Sequence, residues 1–142
     1  MGSQGYLSNI VVVALLERGG KVFIAKRAAT KLTWPNRYEL IGGHVDPGET
    51  LEAALIREID EEIHVTVDVD RIIDAFTFES ENNFKVEICY LCHLPSNQEP
   101  RLNSVDHSEA KWINKSEISL FEKEDQETEV LRKLFTIIEG EM

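Results

Sequence analysis

GHVDPGETLEAALIREIDEEIHV, from Gly43 to Val65, is the stretch on which the reading of this chain turns. Leu51, Ala54, Leu55, Ile59 and Ile63 recur at spacings of three and four, which predicts a helix over residues 50–63 with one apolar stripe. Thr50 stands where an N-cap belongs. Residues 42–48, ahead of the helix, hold three glycines and a proline and read as a turn-dense loop. The helix also carries Glu52, Glu58, Asp60, Glu61 and Glu62 against a single basic residue, Arg57. Like charges one helical turn apart cost a few tenths of a kcal/mol per pair. Glu58, Glu61 and Glu62 fall at i, i+3 and i+4, so their carboxylates share one face. Such a group needs a cation, and an all-oxygen set suits Mg²⁺ or Mn²⁺ rather than zinc.

Three glutamates alone are more simply a solvated acidic face. Their neighbours argue for more. Arg57 can grip a carboxylate in bidentate geometry. Glu49, at the helix entrance, suits the helix dipole and can pair with Arg57. The glycines upstream allow close backbone approach and can offer carbonyl oxygens.

Moving outward, residues 9–16 are valine-rich and read as a buried strand, turned by Glu17-Arg18-Gly19-Gly20 into a returning strand over 21–26. Residues 28–36 read as a loop broken by Pro35, and 38–41 as a short strand. Residues 71–78 and 84–94 read as paired strands around Glu81-Asn82-Asn83. In the second of these, Val86, Ile88, Tyr90, Cys92 and Leu94 share a face. Residues 110–113 suggest a last short strand. Val130, Leu131, Leu134 and Ile138 mark a C-terminal amphipathic helix over 126–138. Strands and helices are mixed, and at least one helix must cover a sheet face.

The spacing Gly43, five residues, Glu49, seven residues, then Arg57-Glu58-Ile59-Asp60-Glu61-Glu62-Ile63-His64-Val65 resembles the signature of the Nudix hydrolases, fitting eight of its nine specified positions. The flanks agree: a valine-rich strand, an Ala-Lys-Arg segment, and Tyr-Glu-Leu-Ile-Gly-Gly before the box. The exception is His64, where the family has glycine. That glycine ends the helix in a left-handed conformation, which histidine tolerates better than most residues.

The resemblance implies an α/β (α+β) fold, an α/β/α sandwich around a mixed central sheet, as one domain over residues 1–142. It implies Mg²⁺, with Mn²⁺ as the alternative, held by Glu61 and Glu62, by Glu58 as ligand or catalytic base, and by the carbonyl of Gly42. Arg57 and Glu49 become orienting residues. Its MutT-like subgroup further suggests Asp106 as an added acidic ligand, Arg27 as a phosphate contact, Gly43 as a substrate-binding residue, and Asp125 as a reader of the base edge. Asp125 serves equally as a plain helix cap, and Arg27 as a surface arginine. Trp34, Tyr38, Phe76 and Phe78 can stack on a base or simply fill a core.

Composition limits the partners. The chain has 142 residues, 42% hydrophobic and 29% charged, with a formal net charge of −11. A surface this acidic argues against a nucleic-acid polymer, but not against a small phosphorylated ligand carried with a metal. No apolar run reaches the length of a membrane span, and the first seven residues do not resemble a signal peptide. Cys89 and Cys92, on opposite faces of one strand, are expected as core cysteines in a reducing, cytoplasmic protein. The expected substrate is a (deoxy)nucleoside triphosphate, cut to monophosphate and pyrophosphate by a monomer or homodimer. ADP-ribose or a dinucleoside polyphosphate, and a catalytically inactive nucleotide sensor, are the alternatives.

Overall fold

In the computed structural model, residues 9–80, 82–95, 97–121 and 125–141 are described. Strand β1 (Ile10–Arg18) alternates strictly. Val12, Ala14 and Leu16 face one hydrophobic cluster, and Val13 and Leu15 face another on the opposite side. A strand buried on both faces must be central, and β1 has neighbours along both edges. It runs parallel to β6 (Asn83–His93) and antiparallel to β4 (Ile41–His44). The edge strand β5 (Asp68–Ser80) pairs antiparallel with β6.

The hairpin of β1 with β2 (Lys21–Arg27) pairs only beside its turn, Glu17 with Val22 and Arg18 with Lys21. Beyond that it splays, and the chain from Tyr38 to His44 fills the gap. β3 (Tyr38–Glu39) pairs with β2, and β4 with β1. The single strand expected over 38–41 is therefore two short strands that change neighbour at Leu40. Gly42, Gly43 and His44, expected in a loop, belong to β4. The glycines are required by close approach and not by a turn. A Cβ on Gly42 would stand 2.1 Å from the Val12 carbonyl oxygen. β7 (His107–Ile113) pairs with β2 and begins earlier than the sequence suggested.

Helix α1 (Leu51–Ile63) covers one sheet face through Ala54, Leu55, Ile59 and Ile63. Burying each large side chain contributes about 1.5–3 kcal/mol. Thr50 caps it as expected, accepting from the Ala53 amide at 3.1 Å. At the other end His64 takes the glycine's left-handed role (φ 57°, ψ 40°) and donates to the Asp60 carbonyl. Helix α2 (Gln126–Glu141) covers the opposite face through Val130, Leu131, Leu134 and Phe135. The result is the expected α/β/α sandwich on a mixed sheet. A 3-10 helix over Lys115–Leu120, capped by Asn114, was not foreseen. Cys89 and Cys92 are buried, unpaired as disulfides, and lie in the two different clusters. Among the described residues no helix is long and apolar enough to cross a membrane.

Candidate active site

The acidic face of α1 is organised by Arg57. Its Nε and Nη2 grip Glu49 in bidentate fashion, at 2.7 and 2.9 Å. Nη2 also donates to the His44 carbonyl at 3.1 Å, tying α1 to the end of β4. Nη1 reaches Glu58 and Glu61, each at 3.2 Å. The guanidinium hydrogen bond holds the Glu49 carboxyl down at about 2. Glu61 is open to solvent, its side chain 58% exposed, whereas that of Glu58 is 15% exposed and packs over Gly43. Burial raises the Glu58 carboxyl above its ordinary value, and Arg57 opposes that rise.

Glu62 turns the other way. The loop ahead of β7 supplies amide donors to the last turn of α1: Arg101 to the Ile63 carbonyl at 2.9 Å, and Asn103 to the Glu62 carbonyl at 3.1 Å. Helix C-termini leave such carbonyls unsatisfied, so this contact anchors the loop. It also delivers Asp106 and His107 to Glu62. Asp106 lies within hydrogen-bonding reach of the Glu62 carboxylate and is itself held by Lys31 at 2.5 Å. Lys31 keeps the Asp106 carboxyl low. Burial first, then the charge of Asp106, pushes the Glu62 carboxyl up to about 7.

Glu58, Glu61 and Glu62 thus share a helical face without closing on one point. Among the described residues, no three histidine, cysteine, aspartate or glutamate side chains gather as a ready metal cage. Like charges separate onto whatever cation is near, here Arg57 for Glu58 and Glu61, and Lys31 for Asp106. The donors nonetheless fit a hard divalent ion. All are oxygens, and Glu62 lies within hydrogen-bonding reach of Asp106, a second carboxylate whose charge a cation would relieve.

Glu62 and Asp106 edge a cleft of about 900 Å³. Gly42, Gly43, Glu62 and Asp106 line it, as do Trp34, Tyr38, Phe76 and Phe78, the four aromatics picked out in the sequence. Phe76 and Phe78 stand 6.1 Å apart, and Trp34 stacks on Arg37 at 4.4 Å. Arg27 faces the cleft but is engaged, with Glu39 at 3.3 Å and the Thr33 carbonyl at 2.9 Å. Asp125 lines the cleft and caps α2, accepting from the Thr128 amide at 3.1 Å.

Several residues in the cleft were not anticipated: Lys31, Glu39, Lys85, Glu87, His107 and Glu127. Glu87 carried a signal, being the lone acid of its strand, flanked by Val86 and Ile88. It is buried, and its carboxyl lies against that of Glu127. Burial raises both.

The chain matches the NUDIX domain family over residues 6–134. It belongs to the Nudix hydrolases. A putative 8-oxo-dGTP diphosphatase of Mycobacterium tuberculosis is 34% identical over 116 residues, covering 79% of this chain and 77% of that protein. The crystal structure of a MutT protein from Methanosarcina mazei superposes with a TM-score of 0.70 at 25% identity, covering 93% of each chain. A Caenorhabditis elegans Ap4A hydrolase reaches a TM-score of 0.74 at 22% identity, over 94% of this chain and 99% of that one, a likeness of fold. This Nudix enzyme is a MutT-like pyrophosphohydrolase that acts on phosphoanhydride bonds of nucleoside phosphates. Nudix hydrolases generally use divalent metal ions such as Mg²⁺.

Proposed function

We propose that the substrate is a (deoxy)nucleoside triphosphate, hydrolysed to nucleoside monophosphate and pyrophosphate with Mg²⁺. The observation that carries this reading is the junction of two features. Two carboxylates, Glu62 and Asp106, line a cleft whose walls offer aromatic faces and basic side chains, and Glu58 packs against Gly43 of that lining. The 34% identity to a protein named as an 8-oxo-dGTP diphosphatase supports a triphosphate over other phosphoanhydrides.

Glu61, Glu62, Asp106 and the carbonyl of Gly42 would hold the metal, with Mn²⁺ as an alternative and Glu58 left as the base. A divalent cation there neutralises the diphosphate oxygens and polarises the attacking water. The rest falls to the chain. Glu58, buried over Gly43, accepts the proton of water as it attacks phosphorus and pyrophosphate leaves. Burial raises its pKa, which suits a base, and Arg57 opposes that rise. Arg57 and Glu49 hold the helix face in register with β4. Gly43 and Arg27 approach the phosphates, Arg27 by exchanging Glu39 for a more highly charged partner. The base enters among Trp34, Phe76 and Phe78, with Asp125 at its edge. The negative charge of the chain suits a small nucleotide met in the cytoplasm by one folded domain, not a polymer.

A panel of nucleoside triphosphates, oxidised triphosphates, ADP-ribose and dinucleoside polyphosphates, assayed with Mg²⁺, tests the reading. Pyrophosphate and monophosphate from a triphosphate are expected as the leading products. Preferential cleavage of ADP-ribose or a dinucleoside polyphosphate would overturn the substrate assignment. Tight binding without turnover would mark a sensor instead.

A further inference from the structure

His107, the first residue of β7, is 4% exposed, and its ring spans two acids from different elements. Nε2 lies 2.8 Å from Glu39 Oε2, on β3. Nδ1 points to Glu62 Oε2, on α1, at 3.6 Å. Nδ1 and Glu62 Oε2 are both buried, and neither has a hydrogen-bond partner. Glu39 is itself held by Arg27 at 3.3 Å. The ring is therefore tethered at one end and aimed at a carboxylate at the other. A movement of about 0.8 Å by Glu62 would bring the pair to ordinary hydrogen-bond length. A space-filling core histidine has no need of an acid at each nitrogen.

We propose that His107 is a positioning residue for Glu62: held by Glu39 through Nε2, it presents Nδ1 to Glu62 Oε2 and fixes which carboxylate oxygen is turned toward the metal. This rests on the reading of Glu62 as a metal ligand. Partners of that kind set ligand orientation, and their loss commonly weakens metal affinity 10- to 100-fold. The two ring nitrogens can be separated by substitution. An asparagine amide nitrogen overlays Nδ1 and a glutamine amide nitrogen overlays Nε2. His107→Asn therefore keeps a donor toward Glu62, and His107→Gln keeps one toward Glu39.

The test is Mn²⁺ affinity of the whole chain, read from the electron paramagnetic resonance signal of free Mn²⁺, with thermal melts as a check on folding. His107→Gln is expected to weaken Mn²⁺ binding about tenfold or more, and His107→Asn, which keeps the donor toward Glu62 but loses the tether, clearly less, about three- to fivefold. Equal weakening by both, no weakening by either, or the reverse order overturns the proposal. Should either variant fail to fold, Glu39→Gln carries the test, since Glu39 is partly exposed and its loss loosens the tether. A several-fold weaker affinity supports the proposal, and an unchanged one overturns it. Glu62→Gln separates the two claims. Loss of Mn²⁺ in that variant, with the His107 variants unaffected, overturns only the role of His107. A wild-type chain that binds no Mn²⁺ overturns the metal reading and this inference together.

Discussion

The carboxylate of Glu58 lies where a side chain on Gly43 would begin: a Cβ there would stand 2.2 Å from the Glu58 carboxyl carbon. The signature glycine is thus a seat for the signature glutamate. Gly43→Ala must displace the end of a flexible side chain, not the backbone, so folding should survive. Activity should not, since a positioned base contributes about 10²–10⁴-fold. We expect kcat to fall about 100-fold with the melting temperature nearly unchanged. Gly42→Ala is the contrast. Its Cβ would meet the Val12 carbonyl oxygen at 2.1 Å and Val13 Cα at 2.8 Å. Backbone cannot swing away, so the melting temperature should drop.

Arg57 acts as a fork, not merely as a charge. Lysine cannot reproduce the two parallel bonds to Glu49 together with those to Glu58 and Glu61. Arg57→Lys should lower kcat/KM about 10- to 100-fold, in the range found when a ligand-orienting partner is lost. Glu49→Gln should do similar damage, and the double variant should cost less than the two losses combined, because both remove one contact. Steady-state kinetics of the four proteins forms the cycle.

Stability should carry the imprint of Glu49 at low pH. Its carboxyl titrates near 4.5 when unperturbed and at about 2 in the folded chain, chiefly through the Arg57 hydrogen bond. A lowered folded pKa means the unfolded chain binds the proton more readily. The stabilisation is therefore complete above about pH 4.5 and disappears as pH falls toward 2. Urea melts of wild type and Glu49→Gln should differ near neutrality and converge across that window. A gap that stays constant with pH would contradict the assignment.

His64 holds a left-handed backbone (φ 57°) that costs an ordinary side chain roughly 1–2 kcal/mol, offset in part by the greater chain entropy that glycine loses on folding. His64→Gly should raise stability by about 0.5–1 kcal/mol and leave kcat unchanged, checked by denaturant titration and a single activity measurement. A loss of activity would show that the ring takes part in the chemistry.

What was legible in the sequence is what is local. Glu58, Glu61 and Glu62 could be placed on one face of α1 because a helix fixes neighbours three and four residues apart. Thr50 and His64 could be placed because caps are local too. Glu39, His107 and Lys31 reach the site from β3, β7 and the loop after β2, and their meeting depends on non-local pairing and on Asn103 and Arg101 closing over the end of α1. No spacing encodes that. Gly42 and Gly43 misled in an instructive way. Consecutive glycines read as a turn, yet here they allow a strand to lie against β1 while a carboxylate rests above it. Asp125 showed its capping bond to Thr128, the plainer of its two readings.

On the proposed function, the acids of α1 and Asp106 make phosphoanhydride cleavage depend on a divalent ion. Pyrophosphate release from a preferred triphosphate, followed across a Mg²⁺ titration in wild type, Glu58→Gln and Glu62→Gln, tests it most directly. Saturable Mg²⁺ activation is expected in wild type, and no activity in a chelator. Glu58→Gln should lower kcat at least about 100-fold, and Glu62→Gln should shift the Mg²⁺ midpoint at least about tenfold. Undiminished release in chelator, or wild-type rates in both variants, would contradict it.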